Sequence, residues 1–565
     1  MATPEKKSEE EAKEKCAICL EEMIPGSGKA IIIAGCGHMF HLECERKNVG
    51  HGRGDCPLCR NLPSARQIVS GKAPAVAQFR RRQPPQPVER MPEDEPISVF
   101  AQPQAVAADD ARELKIEAKP EFATVPVEKE VDLTVLLHIA APPGVPRRAG
   151  QGVDLVILVD QSESMNGERK METVKSTLKF VIDKLTPSDR LAVIPFDDMP
   201  RVDRGLRSVT PEAQTELKRW VDDLIPRGGT QIQDAVSAAY QMMRERRHKN
   251  NFAAVLLLTD GVTTVPAMRG RQLRPADDDP ALYTFGFGTD HDADALARMA
   301  TERRGMFRYV ESADNVGEAV GNCLGGLLST FAQGIHINVI TTTPEIALMG
   351  FTGTAYHNES DAREGHVDIP DITCGERKDI LVELRLPVSP SADPGYKVLL
   401  VRADYCDETG APRHAHAECC VVRGAEVVPP DLYVRAQRNR IAVAEALAEA
   451  ARLADAGDVD GALRVMEAAA AKIRAAPSAE TADQKLFAEL ADAAGAVRTR
   501  QVYFDGGGRS AVRQRMMTHA YQRASAANDD LYSTASQCSM SVAGATATSR
   551  KRARKEEEED DDDVV

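Results

Sequence analysis

Cys16-x2-Cys19, Cys36-x-His38, His41-x2-Cys44 and Cys56-x2-Cys59 follow one another within the first sixty residues. Thiolate and imidazole are the donors Zn²⁺ prefers, and eight of them fill two tetrahedral sites with no position left for water. Closed sites of that kind hold a fold together and activate nothing. The chemistry of this segment therefore belongs to the surface that two structural zinc ions organise.

A second set of donors is all oxygen. Asp160-Gln161-Ser162-Glu163-Ser164 ends one apolar run, Thr230 follows Gly228-Gly229, and Asp260 ends the run FAAVLLLTD. Two carboxylates and three hydroxyls select a hard cation, and so few protein ligands, completed by water, suit Mg²⁺ better than Ca²⁺. Because few carboxylates neutralise it, the metal would keep positive charge and attract an acidic side chain. The plainer alternative is that the Asp and Ser residues only cap the next helix. Ser162 as a hydrolase nucleophile is excluded, since no G-x-S-x-G turn surrounds it and no His base accompanies it.

These donors need elements to carry them. From Val153 to about Leu328, strand-like and helix-like runs alternate. VDLVILVD reads as a strand buried on both faces, GERKMETVKSTLKFVIDKL as a helix and RLAVIPF as a strand. PEAQTELKRWVDDL and TQIQDAVSAAYQMMRERR read as helices, FAAVLLLTD and LYTFGFG as strands. That order implies a doubly wound α/β domain with a mainly parallel sheet, whose ligands collect at the carboxyl ends of the strands. On either side the period drops to two. Leu133, Val135, Leu137 and Ile139 alternate before it; Ile335, Ile337 and Val339, then Ile380, Val382, Leu384 and Leu386, alternate after it. Both flanks are expected to form one β-sandwich with the α/β unit inserted. From about Pro430 the chain is Ala-rich, with antiparallel helices ending at Gly457 and before Pro477.

The expected organisation is multidomain: a disordered start (1–14), a zinc module (15–61), a flexible Pro- and Arg-rich linker (62–117) and first sandwich strands (118–150). The α/β domain (151–330), further sandwich strands (331–428), an Ala-rich helical region (429–530) and a disordered tail (531–565) complete it. In that tail Arg550, Lys551, Arg552, Arg554 and Lys555 precede eight carboxylates from Glu556 to Asp563, a charge block expected to stay solvated.

At 565 residues the chain exceeds what one core supports. Its net charge of −15 argues against nucleic acid as the main partner. No apolar run is long enough to cross a membrane, and the charged start lacks the apolar stretch of a secretory signal. The expected location is the cytoplasm or nucleus, with the tail's basic cluster a candidate import signal. Of twelve cysteines, six are committed to zinc and the others show no disulfide framework, which fits a reducing compartment.

Residues 16–60 resemble a RING finger of the H2 type. The resemblance implies a cross-brace, with Cys16, Cys19, His41 and Cys44 on one zinc and Cys36, His38, Cys56 and Cys59 on the other. It also implies an E3 ubiquitin ligase that binds a ubiquitin-charged E2 enzyme through Ile18 and Pro57. Arg60 would bridge E2 and ubiquitin and hold the conjugate in a reactive pose, with no covalent intermediate on this chain. The loop ERKNVGHGRGD lacks the Trp that many such fingers carry. Asp160, Ser162, Ser164, Thr230 and Asp260 resemble the metal-ion-dependent adhesion site of a von Willebrand factor A domain, which implies a partner's carboxylate on the bound metal. RING-H2, A domain with β flanks and helical end together resemble plant RING–von Willebrand A ubiquitin ligases of the WAVY GROWTH type. The A domain would then hold the protein substrate. The alternative is a non-catalytic adaptor that uses the A domain alone.

Overall fold

The computed structural model places the chain in two compact units, Met1–Gln86 and Pro87–Val565. Residues 31–33, 39–41, 91–96, 113–144, 152–167, 169–261, 279–289, 291–354, 356–425, 428–476, 478, 480–524 and 532–562 are described. In the first unit, β1 (Ile31–Ile33) pairs antiparallel with β2 (Met39–His41). Of the cysteine and histidine set only His41, at the end of β2, falls within a described element. The other seven ligands, with Ile18, Pro57 and Arg60, lie outside the described residues.

The second unit opens with β3 (Lys115–Pro120), β4 (Thr124–Val125) and β5 (Val131–Ala140). The α/β domain follows. It runs β6 (Val153–Asp160), α1 (Lys170–Lys184), β7 (Arg190–Phe196), β8 (Arg207–Ser208), α2 (Pro211–Asp222) and α3 (Ile232–Arg244). It continues through β9 (Phe252–Thr259), β10 (Ala281–Phe287), α4 (Ala293–Glu302), β11 (Phe307–Val310) and α5 (Val316–Leu327). The sheet order is β11-β10-β9-β6-β7-β8, parallel except for the short edge strand β8. Every residue of β6 is buried, as a central strand covered by helices on both faces requires. α3 buries Ile232, Ala235, Val236, Ala239, Tyr240 and Met243, the one-sided spacing of a helix laid on a sheet. α2 starts where Pro211 follows Thr210, whose hydroxyl accepts from the Ala213 amide.

The chain then returns to strands: β12 (Thr330–Thr341), β13 (Ala347–Thr352), β14 (His357–Ser360), β15 (Glu364–Thr373), β16 (Arg377–Leu386), β17 (Asp393–Asp407) and β18 (Pro412–Arg423). Two sheets result, β14-β15-β12-β17-β18-β4 and β13-β16-β5-β3. β5 lies beside β16 with Leu133 opposite Leu384, Val135 opposite Val382 and Leu137 opposite Ile380. Strands from both sides of the α/β insert therefore share one sheet, and the period-two residues form one buried core with Ile337, Val339 and Val367.

Helices α6 (Leu432–Asp455), α7 (Val459–Ala475), α8 (Glu480–Val497), α9 (Arg500–Phe504) and α10 (Gly508–Tyr521) follow. Between α6 and α7, Gly457 takes φ +87°, the left-handed conformation that ends a helix and costs a glycine nothing. Val434 of α6 packs on Leu136 and Leu381 from the outer face of the smaller sheet. Among the described residues no helix is long and apolar enough to cross a membrane.

Two expectations are corrected. The linker is not free throughout 62–117. Met91 is buried, and the acidic residues after it are seated on the α/β domain. Arg190, fully buried, donates to Asp154 at 2.7 and 2.8 Å and to Asp94 at 2.8 Å, while Glu95 takes the Ser208 amide at 2.9 Å. Arg246 also pairs with Asp154, at 2.6 Å, so two buried guanidinium groups share one carboxylate and the linker supplies the second. β3 also begins at Lys115, inside the expected linker.

The second correction concerns the tail. Residues 535–562 form α11 (Ala535–Asp562), whose first part packs on α5. The seam is glycine on backbone. A Cβ at Gly317 would come within 2.6 Å of the Gly544 carbonyl oxygen, and one at Gly321 within 2.5 Å of that of Met540. A Cβ at Gly325 would come within 2.7 Å of the Ser536 carbonyl oxygen, and one at Gly544 within 2.0 Å of that of Gly317. Ser536 and Ser541 hydroxyls donate to the Gly325 and Glu318 carbonyls, both at 3.1 Å. Small residues let two helices meet at backbone distance, and the gain is dispersion, which hydropathy does not register. Gly544→Leu should therefore release the helix. Protease cleavage near Ala535 should rise about tenfold or more, the equivalent of about 1.4 kcal/mol of local stability. Unchanged cleavage would mean that the seam does not hold the helix.

Candidate metal-binding site at the strand ends of the α/β domain

β6 and β9 are neighbours in the sheet, so their carboxyl ends deliver Asp160 and Asp260 to the same edge. After β6 the chain enters a 3₁₀ turn over Glu163–Asn166, and Ser162 stands at its start. Were the D-x-S-x-S run only a cap, the Ser162 hydroxyl would bond the turn's amides; it makes no such bond. It lies 2.9 Å from the Ser164 hydroxyl, and Ser164 donates to Asp260 Oδ1 at 2.7 Å. The Ser162 hydroxyl thus turns to the cluster and not to the helix start.

Asp160 is fully buried. Its Oδ1 accepts the Ser162 amide at 2.8 Å, and its other oxygen accepts the Thr259 hydroxyl. Thr230 reaches the same point from the loop before α3. A Cβ on Gly261 would lie 2.9 Å from Thr230 Oγ1 and 3.2 Å from Asp160 Oδ2. Its nearest neighbour would be the Thr230 methyl at 2.8 Å, so glycine at 261 lets the chain pass close to Thr230 and Asp160. All five sequence-selected residues converge here, a donor set that fits a hard divalent cation. Burial pushes the Asp160 carboxyl up to about 6, and the Asp260 charge adds to this, against the downward pull of the Thr259 and Ser162 hydrogen bonds.

The loops around the cluster are tied together. The Gln161 amide donates to the Phe196 carbonyl at 2.8 Å and the Glu163 amide to that of Gly228 at 3.2 Å. Arg227 pairs with Asp197 at 3.0 Å, and Arg201 with the Gln161 side chain. Asp198 receives the Gly229 amide at 3.2 Å. Two large apolar side chains stand exposed on these same loops, Met199 at 53% and Ile225 at 67%.

Sequence reasoning missed one participant. Lys170, the first residue of α1, places its ammonium 2.7 Å from Asp260 Oδ2. The only signal was local: a lysine at a helix start, where the helix dipole disfavours a cation.

The von Willebrand factor type A domain family matches residues 154–322, and the Ring finger domain family matches residues 14–60. E3 ubiquitin-protein ligase WAVH1 of Arabidopsis thaliana is 25% identical over 85% of this chain and 73% of its own length. E3 ubiquitin-protein ligase WAV3 of the same plant is 25% identical over 83% of this chain and 72% of its own. Among solved structures, a von Willebrand factor type A protein from Catenulispora acidiphila superposes with a TM-score of 0.51. It is 16% identical and covers 69% of this chain and 90% of that one, a likeness of fold.

Proposed function

We propose that this chain, a RING zinc finger joined to a von Willebrand factor A domain, is a RING-type E3 ubiquitin-protein ligase whose A domain captures the protein to be modified. The observation that carries this reading is order. A RING match and an A-domain match stand in one chain that is similar along more than four-fifths of its length to ligases with that name.

The RING end binds zinc, with the interleaved ligand pairs given above as the assignment. A segment of about 45 residues buries too little apolar surface to fold alone, so metal binding supplies the missing free energy. Ile18 and Pro57 are assigned to the E2 groove and Arg60 to the E2–ubiquitin contact. The ligase adds no nucleophile; it accelerates transfer by restricting the conjugate to a reactive orientation.

Asp160, Ser162, Ser164, Thr230 and Asp260 would hold Mg²⁺, which when bound supplies a Lewis-acid seat for a partner's carboxylate. Met199 and Ile225 on the adjoining loops offer the apolar anchors that give such a contact affinity. RING and A domain on one chain raise the effective concentration of substrate at the E2.

The test is autoubiquitination of the full chain with E1, a panel of E2 enzymes, ubiquitin and ATP. Zinc-loaded protein should build ubiquitin chains, and silence with every E2 would leave the adaptor reading in place. For the A domain, Asp160→Ala combined with Ser162→Ala should weaken capture of a ubiquitinated partner on the order of tenfold or more while autoubiquitination continues. Equal capture by the folded variant would make the oxygen cluster structural.

A further inference from the structure

Lys170 is in a place that needs explaining. As the first residue of α1 it puts a cation at the positive end of a helix dipole. The residue before it, Arg169, is left-handed at φ 57° and gives the helix no side-chain cap. Local preference would put Asp, Glu or a neutral residue here. The lysine side chain is nonetheless drawn in to 13% exposure, and its ammonium rests on a carboxylate whose side chain is fully buried. Sequences that break a local rule usually do so where a site demands it.

The carboxylate it contacts is a proposed ligand. Asp260 has both oxygens engaged: Oδ1 by the Ser164 hydroxyl at 2.7 Å and Oδ2 by the Lys170 ammonium at 2.7 Å. A divalent cation held by Ser164 and Asp260 would share that carboxylate with a tethered positive charge. Two like charges on one buried carboxylate repel.

We propose that Lys170 is a built-in competitor for the cation, which keeps divalent-metal affinity low until an acidic side chain of a partner arrives. The inference rests on the metal-site reading above. Charge counting gives the direction. Asp160 and Asp260 ionised, with Lys170, leave the cluster one negative charge; a divalent cation turns this to one positive, and a partner's carboxylate returns it to zero. Metal and acidic partner then bind cooperatively, and by linkage each strengthens the other equally. Without the ammonium the metal alone would bring the site to zero and would stay without a partner.

The experiment is a Mn²⁺ titration of the zinc-saturated full chain, with free Mn²⁺ read from its paramagnetic resonance signal. The Asp160→Ala, Ser162→Ala double variant gives the baseline for binding elsewhere. Lys170→Met should bind Mn²⁺ more tightly than wild type by on the order of tenfold or more, and Lys170→Gln should do the same should the Met variant fold poorly. Lys170→Arg, which keeps the charge, should stay near wild type. Equal affinity in wild type, Met and Gln variants, with binding still lost in the double variant, would overturn the competitor role and leave the metal site standing. Titrations that match the baseline in every variant would overturn the metal site and this inference together.

Discussion

Arg60→Ala should reduce ubiquitin discharge from a charged E2 on the order of tenfold to a hundredfold, the range lost when a reacting pair is held less precisely. The assay is single-turnover discharge of a preformed E2–ubiquitin thioester to free lysine, which needs no substrate protein and isolates the RING. The residue directly follows Cys59, an assigned zinc ligand. Its guanidinium presents a rigid fork of donors able to meet two carbonyls or a carboxylate at once. Arg60→Lys keeps the charge and loses the fork, and should fall between. Zinc content and A-domain capture should not change in either variant, because Arg60 is assigned neither to a zinc site nor to the A-domain cluster. An adaptor would behave differently: its output depends on capture alone, so Arg60→Ala would leave it intact. Discharge equal to wild type in the Ala variant would remove Arg60 from the mechanism and strengthen the adaptor reading, for which the missing Trp in residues 45–55 is the existing support.

What could be read directly from the sequence was whatever depends on residue type at fixed spacing. The oxygen cluster is of that kind. Asp160, Ser162 and Ser164 are two apart on one turn, and Asp260 ends a strand whose apolar run marks it as central. The divided sandwich was legible because Leu133 to Ile139 and Ile380 to Leu386 keep period two on both sides of an α/β insert. Three features were not legible, each for a physical reason. Lys170 meets Asp260 across ninety residues of sequence, and nothing near Lys170 names its partner. Asp94 in MPEDEP reads as linker until the buried Arg190 and Arg246 are seen to share the single carboxylate of Asp154. The seam of Gly317, Gly321, Gly325 and Gly544 consists of residues that lower both helix propensity and hydropathy. Its attraction comes from backbone proximity, so composition alone makes α11 look like an unstructured tail.

The largest stability loss should come from Arg523, which follows α10 and enters the sandwich. Its guanidinium donates to Glu376 Oε1 at 2.9 Å and to the Asp371 carbonyl at 2.8 Å, and also pairs with the Asp371 carboxylate. Lys378 completes the cluster, 2.6 Å from Glu376 and donating to the Tyr521 carbonyl at 2.6 Å. Burial raises the Glu376 carboxyl, but the Arg523 and Lys378 cations more than offset this and hold it at about 2; burial pushes the Lys378 ammonium down to about 8. Removing one partner from a buried charge cluster costs about 3–5 kcal/mol, because the rest stay desolvated and unbalanced. Arg523→Met should show a loss of that size in urea unfolding followed through Trp220, the only tryptophan. The pH dependence has a definite sign. Glu376 titrates lower folded than unfolded, so its contribution, about 3 kcal/mol, is present above about pH 4.5 and lost as pH falls toward 2. Lys378 is also lowered, so the unfolded chain binds the extra proton between about pH 8 and 10.5, and stability from this group rises with pH there. Wild type should therefore weaken steeply between about pH 4.5 and 2. Arg523→Met should weaken less over the same interval, since Glu376 keeps only Lys378 of the two cations that hold it ionised. Parallel acid profiles for wild type and Arg523→Met would show that this cluster does not govern acid stability.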